Sequence, residues 1–477
     1  MNAHPFSPDS LSERHGPSYR WRVLLTVMLG TMASIMASTI VNVAVPDMSH
    51  VFTLGQERAQ WLSAGFMAAM TISMLLTPWL LERYGYRHTY AGAVLLLMVG
   101  GLCGGLSQWF GLILAMRATE GLAAGVLHPI PAILVLQTFE RHEQGKAMGI
   151  FGFGVVLAPA IGPSIGGVLV EAYGWRSIFF VVVPFCLAAL ALGWRYLPHA
   201  SPGGVPVNHH RRKLDVPGLL LLTVGVLSLL NGLVHLHDQA HLLATGLLVL
   251  AAAATAGFIV RQRRATHPMM QLRLFGNHTF SWGGVVAFVY GMALFGSTYL
   301  VPGFMQIALK LPPSQAGAVL LPAGIVLAIT IPIAGRMADR YAFHRTLSAG
   351  VLLLAVSFWL MMTVGTTTAL VVITLWAVVG RIGLGLVLPS LNLGAVRALP
   401  MDLLPYGASG INFLRQLGGA VGVSMVGIVL EWRLRVHADN PVRGFHETFF
   451  LLGAICAVAV VAAWRMQPAP EPAHGPA

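Results

Sequence analysis

The sequence predicts an all-α polytopic membrane protein: two pseudo-symmetric six-helix bundles with two additional helices between them. Three observations lead there. The 477 residues are 56% hydrophobic and only 10% charged, with a mean hydropathy of +0.73, far outside the range of soluble domains. Fourteen apolar stretches reach the roughly 20 residues that a bilayer crossing needs. The layout also occurs twice: Glu82-Arg83-Tyr84 returns as Asp339-Arg340-Tyr341, 257 positions on, and the first apolar span, opening near Arg22, returns near Thr279 at the same offset. Gly125-x-x-x-Pro129 echoes as Gly385-x-x-x-Pro389, 260 positions on. Duplicated halves around a central site are a recurring design of secondary transporters.

The expected spans lie near 22–44, 60–81, 90–109, 110–136, 146–170 and 177–197, then 216–234 and 241–260, then 279–305, 316–335, 347–366, 368–393, 408–430 and 447–465. Residues 1–21 form a cytoplasmic tail, 22–197 the first bundle, and 198–215 a linker rich in Pro, Gly and His. The two additional helices occupy 216–260, a second cytoplasmic linker 261–278, the second bundle 279–465, and a disordered Pro/Ala tail 466–477. With both termini cytoplasmic, about 20 of the 29 Lys and Arg fall on the inner side, about 6 outside and 3 within spans, a strong positive-inside bias.

That bias, led by Arg211-Arg212-Lys213 and by Arg261, Arg263 and Arg264, accounts for most of the net charge of +12 without any nucleic-acid partner. The N-terminal segment lacks the pattern of a cleaved signal peptide. Cys103, Cys186 and Cys456 fall inside spans, which argues for packing rather than disulfides.

The chemistry should reside in the few ionisable residues within spans. Arg117, Glu120, Arg381 and Arg415 are the acidic or Arg residues placed there. Each charge costs about 2.5–3.5 kcal/mol at mid-span on insertion scales. Arg117 and Glu120 stand three apart and share a helix face. The alternatives are that Glu120 takes up and releases a proton with Arg117 tuning it, that the two form a fixed pair, or that Glu120 stays permanently protonated. His128, eight residues on, is either a relay or a packing residue. Arg415 and Arg381 read as anchors near helix crossings or headgroups, with Arg415 able to snorkel. His235-x-His237-Asp238-x-x-His241 has a spacing that permits a metal, but flexible loop histidines seldom close a site, so no metal and no cofactor are expected. No nucleotide-binding loop, catalytic triad or zinc-enzyme motif is present, which argues against an enzyme.

From Arg22 to Trp464 the chain resembles the major facilitator superfamily, in particular its fourteen-helix drug:proton antiporter branch of the EmrB/QacA type. The motifs that carry the resemblance are Gly162-Pro163-Ser164-Ile165-Gly166-Gly167, in a span also holding Gly154, and Arg117-x-x-Glu120-Gly121, with Glu where the family has Gln. Further matches are Tyr299-Leu300-Val301-Pro302, Gln315-Ala316-Gly317, Leu320-Leu321-Pro322, and Gly410 with Arg415-Gln416-Leu417-Gly418-Gly419. The family's loop signature is eroded in the first half, around Glu82, Arg83, Gly85 and Arg87, and closer in the second, at Gly335, Asp339 and Arg340. Those loops either gate the inner mouth through charge pairs or only fix topology. In the first span the family's Asp is replaced by Ala37, ahead of Thr39-Ile40-Val41-Asn42.

The resemblance implies an inner-membrane, multi-pass exporter of amphiphilic small molecules driven by proton entry. Glu120, Arg117 and His128 are then the coupling candidates, and Thr39, Asn42, Arg381, Asn412 and Arg415 line the substrate cavity. A cavity with three arginines and one glutamate favours neutral or weakly acidic amphiphiles. Relatives often work with a periplasmic adaptor and an outer-membrane channel. A metabolite exporter, a symporter, or a non-transporting sensor on the same fold are the alternatives.

Overall fold

The computed structural model describes Glu13, Gly16 and residues 18–53, 56–199, 213–237, 241–397 and 399–467. Most of the N-terminal tail, the linker at 200–212, the loop residues 238–240 and the tail from 468 lie outside the described residues. Apolar side chains leave each stretch no way to satisfy its backbone in lipid except internally, so the spans are helical. The first half comprises α1 (Tyr19–Val51), α2 (Gln56–Ser73), α3 (Thr77–Leu106), α4 (Phe110–Leu127), the short α5 (Ile130–Thr138), α6 (Gln144–Tyr173) and α7 (Ser177–Tyr196). The inserted pair is α8 (Val216–His237) and α9 (His241–Arg264). The second half comprises α10 (His278–Gly303), α11 (Pro313–Arg340), α12 (Phe343–Met361), α13 (Leu370–Val396), α14 (Leu404–Val436) and α15 (Pro441–Trp464).

Thirteen stretches among the described residues are long and apolar enough to cross a membrane, one fewer than the fourteen expected. The difference lies at 60–81 and 90–109, which fall within a single helical run, Trp61–Leu106. A helix of its 46 residues would extend roughly 70 Å, more than twice the hydrocarbon thickness. Gly85 interrupts it with φ 77° and ψ 173°, a backbone geometry open to glycine and costly for other residues. The amide of Tyr86 then donates to the carbonyl of His199, tying the start of the next segment to the end of α7.

The duplication is visible in the contacts. A Cβ built on Gly125 would fall 2.0 Å from the Ser73 hydroxyl on α2, and one on Gly385 would fall 2.8 Å from Thr330 on α11. Ser73 and Thr330 are themselves 257 positions apart. Gly162 on α6 faces Thr39 of α1, while Gly419, again 257 positions on, faces Phe295 of α10. Small residues thus set the closest helix crossings, as they do where lipid offers no hydrophobic drive for association.

The inserted pair is fastened by Asp215, at the start of α8. Its carboxylate accepts from Arg261 Nε (3.0 Å), Gln262 Nε2 (2.8 Å) and the Gly218 amide (3.2 Å). Gln262 in turn accepts from the Met270 amide, 3.1 Å away in the connector to the second half.

Candidate functional site

Arg117 and Glu120 sit one turn apart on α4, and both are almost fully buried, at 1% and 2% exposure. Arg117 Nη1 donates to Glu120 Oε2 at 2.5 Å and to the Ala37 carbonyl of α1 at 3.0 Å, while Nε donates to the Leu62 carbonyl of α2 at 3.2 Å. The guanidinium lies 4.4 Å from the centre of the Phe66 ring, and Nη2 has no hydrogen-bond partner among the described residues. Three helices of the first half therefore meet on one cation.

The far side of Glu120 rests on glycines of α3. A Cβ on Gly100 would come within 2.8 Å of its Cγ, and one on Gly101 within 3.2 Å of Oε1. These two glycines carry no motif signature, and sequence reasoning missed them. The only trace is that they stand in the glycine-rich run Gly100-Gly101 to Gly104-Gly105.

Where the halves meet, Thr31, His128, Gly152, Asn392, Asn412 and Arg415 surround a cavity of only about 20 Å³, space for one water. Arg415 does not snorkel toward a headgroup: it faces this central space and donates from Nη2 to Asn412 Oδ1 at 2.8 Å. Arg381 lines a second small cavity of about 30 Å³ with Ser297 and Ser357. No carboxylate pairs with Arg381 or Arg415 among the described residues. His128 is brought to Arg415, and no hydrogen bond joins it to the Arg117–Glu120 pair among those residues.

Thr39 and Asn42 stand away from that centre. Thr39 bonds back to the Ile35 carbonyl and meets Gly162, and Asn42 accepts from the Ser63 hydroxyl at 2.7 Å, linking α1 to α2. The glycines of the α6 signature face α1: Gly154 meets Met28, Gly162 meets Thr39 and Gly166 meets Ile40, whereas Gly167 faces open space. The histidine cluster at 235–241 is split by residues outside the described set.

The end of the molecule that carries the two acidic-Arg-Tyr tripeptides is bolted shut, and its two acids reach across the halves to a helix start and a tyrosine hydroxyl. Asp339 accepts from the amides of Gly145 (2.7 Å) and Lys146 (2.8 Å), the first turn of α6. A helix start offers unsatisfied N–H groups and a positive dipole end, so it competes successfully with arginine for a carboxylate. Glu82, the counterpart of Asp339, accepts from the Tyr406 hydroxyl at 2.9 Å, in the first turn of α14. Arg397 adds a third tie, donating to Gln144 Oε1 at 2.9 Å and to the Arg141 carbonyl. Burial and then Arg141 weaken the charged form of Arg397, while Asp339 supports it.

Gly335 belongs to this closure, with Gly145 and Gly149 packed against it. Arg83 and Arg87 instead lie over Trp79 and Trp194, 5.2 Å from each ring centre, and no ion pair to Arg340 forms among the described residues.

Comparison with known proteins gives a consistent result. The model of the Major Facilitator Superfamily matches residues 27–423. The tetracenomycin C resistance and export protein of Streptomyces glaucescens is 30% identical over 416 residues, covering 87% of this chain and 76% of that protein. The multidrug transporter protein MdtP of Bacillus subtilis (strain 168) is 28% identical over 429 residues, 89% of this chain and 77% of that one. Among solved structures, the proton:xylose symporter XylE superposes with a TM-score of 0.69 at 13% identity, covering 94% of this chain and 96% of that one. The human organic anion transporter MFSD10 (TETRAN) gives 0.68 at 15% identity, covering 94% and 100%.

Proposed function

The chain belongs to the major facilitator superfamily, whose members are membrane transporters and not enzymes, and from that premise we propose that it is a proton-coupled antiporter exporting amphiphilic small molecules from a bacterial cell. Relatives that share most of its length are named for export of, or resistance to, tetracenomycin C and lincomycin and for multidrug transport, which supports an exporter over a symporter. On this reading the Trp61–Leu106 run makes two crossings around Gly85, giving fourteen helices of the EmrB/QacA type. The bolted end and both termini then face the cytoplasm, in keeping with the positive-inside bias.

The observation that carries the coupling is the isolation of Glu120. Among the described residues the only other carboxylate that is buried is Asp215, which is fixed in the inserted pair. Glu120 is held by a single side chain, Arg117, whose remaining bonds go to backbone carbonyls of α1 and α2. Protonating Glu120 removes the negative half of that pair and changes how firmly α4 holds both neighbours. Each proton entering down 100 mV contributes about 2.3 kcal/mol from the potential alone.

Arg415 and Arg381 set the substrate class. Two guanidiniums in the second half with no carboxylate partner among the described residues are costly in a span, and a substrate bearing an acidic or strongly accepting group relieves that cost. The central cavity is far below the 300–1,000 Å³ of a ligand site, so the halves must rock apart to admit such a compound. A periplasmic adaptor and outer channel are compatible partners for it.

The test is substrate-induced proton flux in inside-out vesicles, over cationic, neutral and acidic amphiphiles, comparing the wild type with Glu120→Gln. Flux with acidic or neutral compounds that disappears in the variant is the expected result. Undiminished flux in Glu120→Gln would remove that residue from coupling, and co-directional movement of proton and substrate would favour a symporter.

A further inference from the structure

The seam between the inserted helices and the second half holds a large, strongly apolar cavity. Its volume is about 530 Å³, with walls formed by Leu222 and Val226 of α8, Phe258 and Arg263 of α9, Phe275 of the connector and Phe413 of α14. A packed membrane interface of this kind would normally close on itself, because no hydrophobic drive opposes filling it with side chains or lipid. Arg263 is the one charged residue in the lining. It stands in the last turn of α9 beside Arg264, and neither forms an ion pair among the described residues, in contrast to Arg261, which is committed to Asp215.

We propose that this seam is a binding site for one anionic phospholipid, with its phosphate on Arg263 and Arg264 and an acyl chain lying between α8, α9 and α14. The cavity's composition selects the occupant: an apolar slot with one guanidinium, Arg263, at its end and Arg264 next to it in the chain matches a molecule that is apolar along its length and negative at its head. Basic pockets between helices at the inner leaflet take such headgroups. The bound lipid completes the packing of the inserted pair against the second half. It rests on the back of α14, where Leu414 and Leu417 line the seam on either side of Arg415 in the chain. This site is independent of the transport cycle proposed above.

The experiment is native mass spectrometry and thermal unfolding of the purified full-length chain in detergent, with phosphatidylglycerol or phosphatidylcholine of identical acyl chains, on the wild type, Arg263→Gln and Val226→Trp. One phosphatidylglycerol should be retained and should raise the melting temperature, with phosphatidylcholine retained far less. Arg263→Gln, at an exposed position that leaves folding intact, should weaken retention about fivefold, the effect of one basic residue near a membrane surface. Val226→Trp should abolish retention by filling the slot. Equal retention of both lipids, or retention unaffected by Arg263→Gln, overturns the proposal. So does displacement of phosphatidylglycerol by a single-chain anionic amphiphile at equal concentration, which would assign the seam to transported compounds.

Discussion

Gly145 and Gly335 meet backbone to backbone across the two halves. A Cβ added to Gly145 would lie 2.1 Å from the Gly335 carbonyl oxygen, and one added to Gly335 would lie 2.2 Å from that of Gly145. Neither contact leaves room for a methyl group, and neither neighbour is a side chain that can swing aside. Gly335→Ala should therefore keep the bolted end from closing while each half remains folded. Hydrogen exchange in the first turn of α6 should rise, and export should fall. Protection equal to the wild type would show that the halves close without this contact.

Asp339 holds the same helix start by charge. Asp339→Asn keeps an acceptor but loses the carboxylate's interaction with the helix dipole, about 0.3–2 kcal/mol. The closed-to-open ratio should drop by up to roughly thirtyfold, and Asp339→Ala should drop it further. Exchange at the Gly145 and Lys146 amides reads this directly, and indistinguishable rates in all three proteins would assign closure elsewhere.

Glu120→Gln leaves Arg117 buried without a counter-charge, and breaking a buried pair typically costs about 3–5 kcal/mol. Arg117 already touches the backbone of Ala37 and has Nη2 unused. The double variant Ala37→Asp/Glu120→Gln should regain much of the thermal stability lost in the single one, since the acid would reach Arg117 from α1. A double variant no more stable than Glu120→Gln would mean that position 37 cannot present an acid to the guanidinium.

Gly100→Val should disable transport without replacing any ionisable residue. Its side chain would enter the space of the Glu120 Cγ, 2.8 Å from the added Cβ, with the Met116 carbonyl 3.3 Å away on the other side. Overpacking of this sort costs typically 1–3 kcal/mol. Proton flux should be lost and melting temperature lowered, whereas Gly92→Val, with nothing within 4 Å, should change neither.

Arg415→Gln should reduce export of acidic amphiphiles more than that of neutral ones, because it removes a cation that faces the centre with Asn412 as its only side-chain partner among the described residues. Competition between an acidic and a neutral substrate of similar size measures the change. An equal loss for both would make Arg415 a structural residue.

Much was legible in order along the chain. Length, apolarity and the 257-residue echo of Glu82-Arg83-Tyr84 at Asp339-Arg340-Tyr341 follow from the bilayer's demand for helical spans and from duplication. Arg117 and Glu120 were legible as a pair because a three-residue spacing places them on one face. The break at Gly85 was legible only as a loop between two spans; the structure makes it a kink in one helical run.

Other features had no sequence signal. Asp339 and the first turn of α6 are 193 and 194 positions apart, and the donors it captures are backbone amides, which every residue except proline carries. Tyr406 reaching Glu82 and Arg397 reaching Gln144 are likewise contacts between halves. Composition and periodicity report what one helix prefers within lipid, and so the sequence by itself determined the class, most of the spans and the buried Arg117–Glu120 pair, but not the burial of Asp215. Which faces meet, and whether a carboxylate finds an arginine or a helix end, depends on the relative placement of two halves that each satisfy their own backbone. That placement belongs to the tertiary structure alone, since the energy separating one arrangement from another comes from contacts that no local stretch contains.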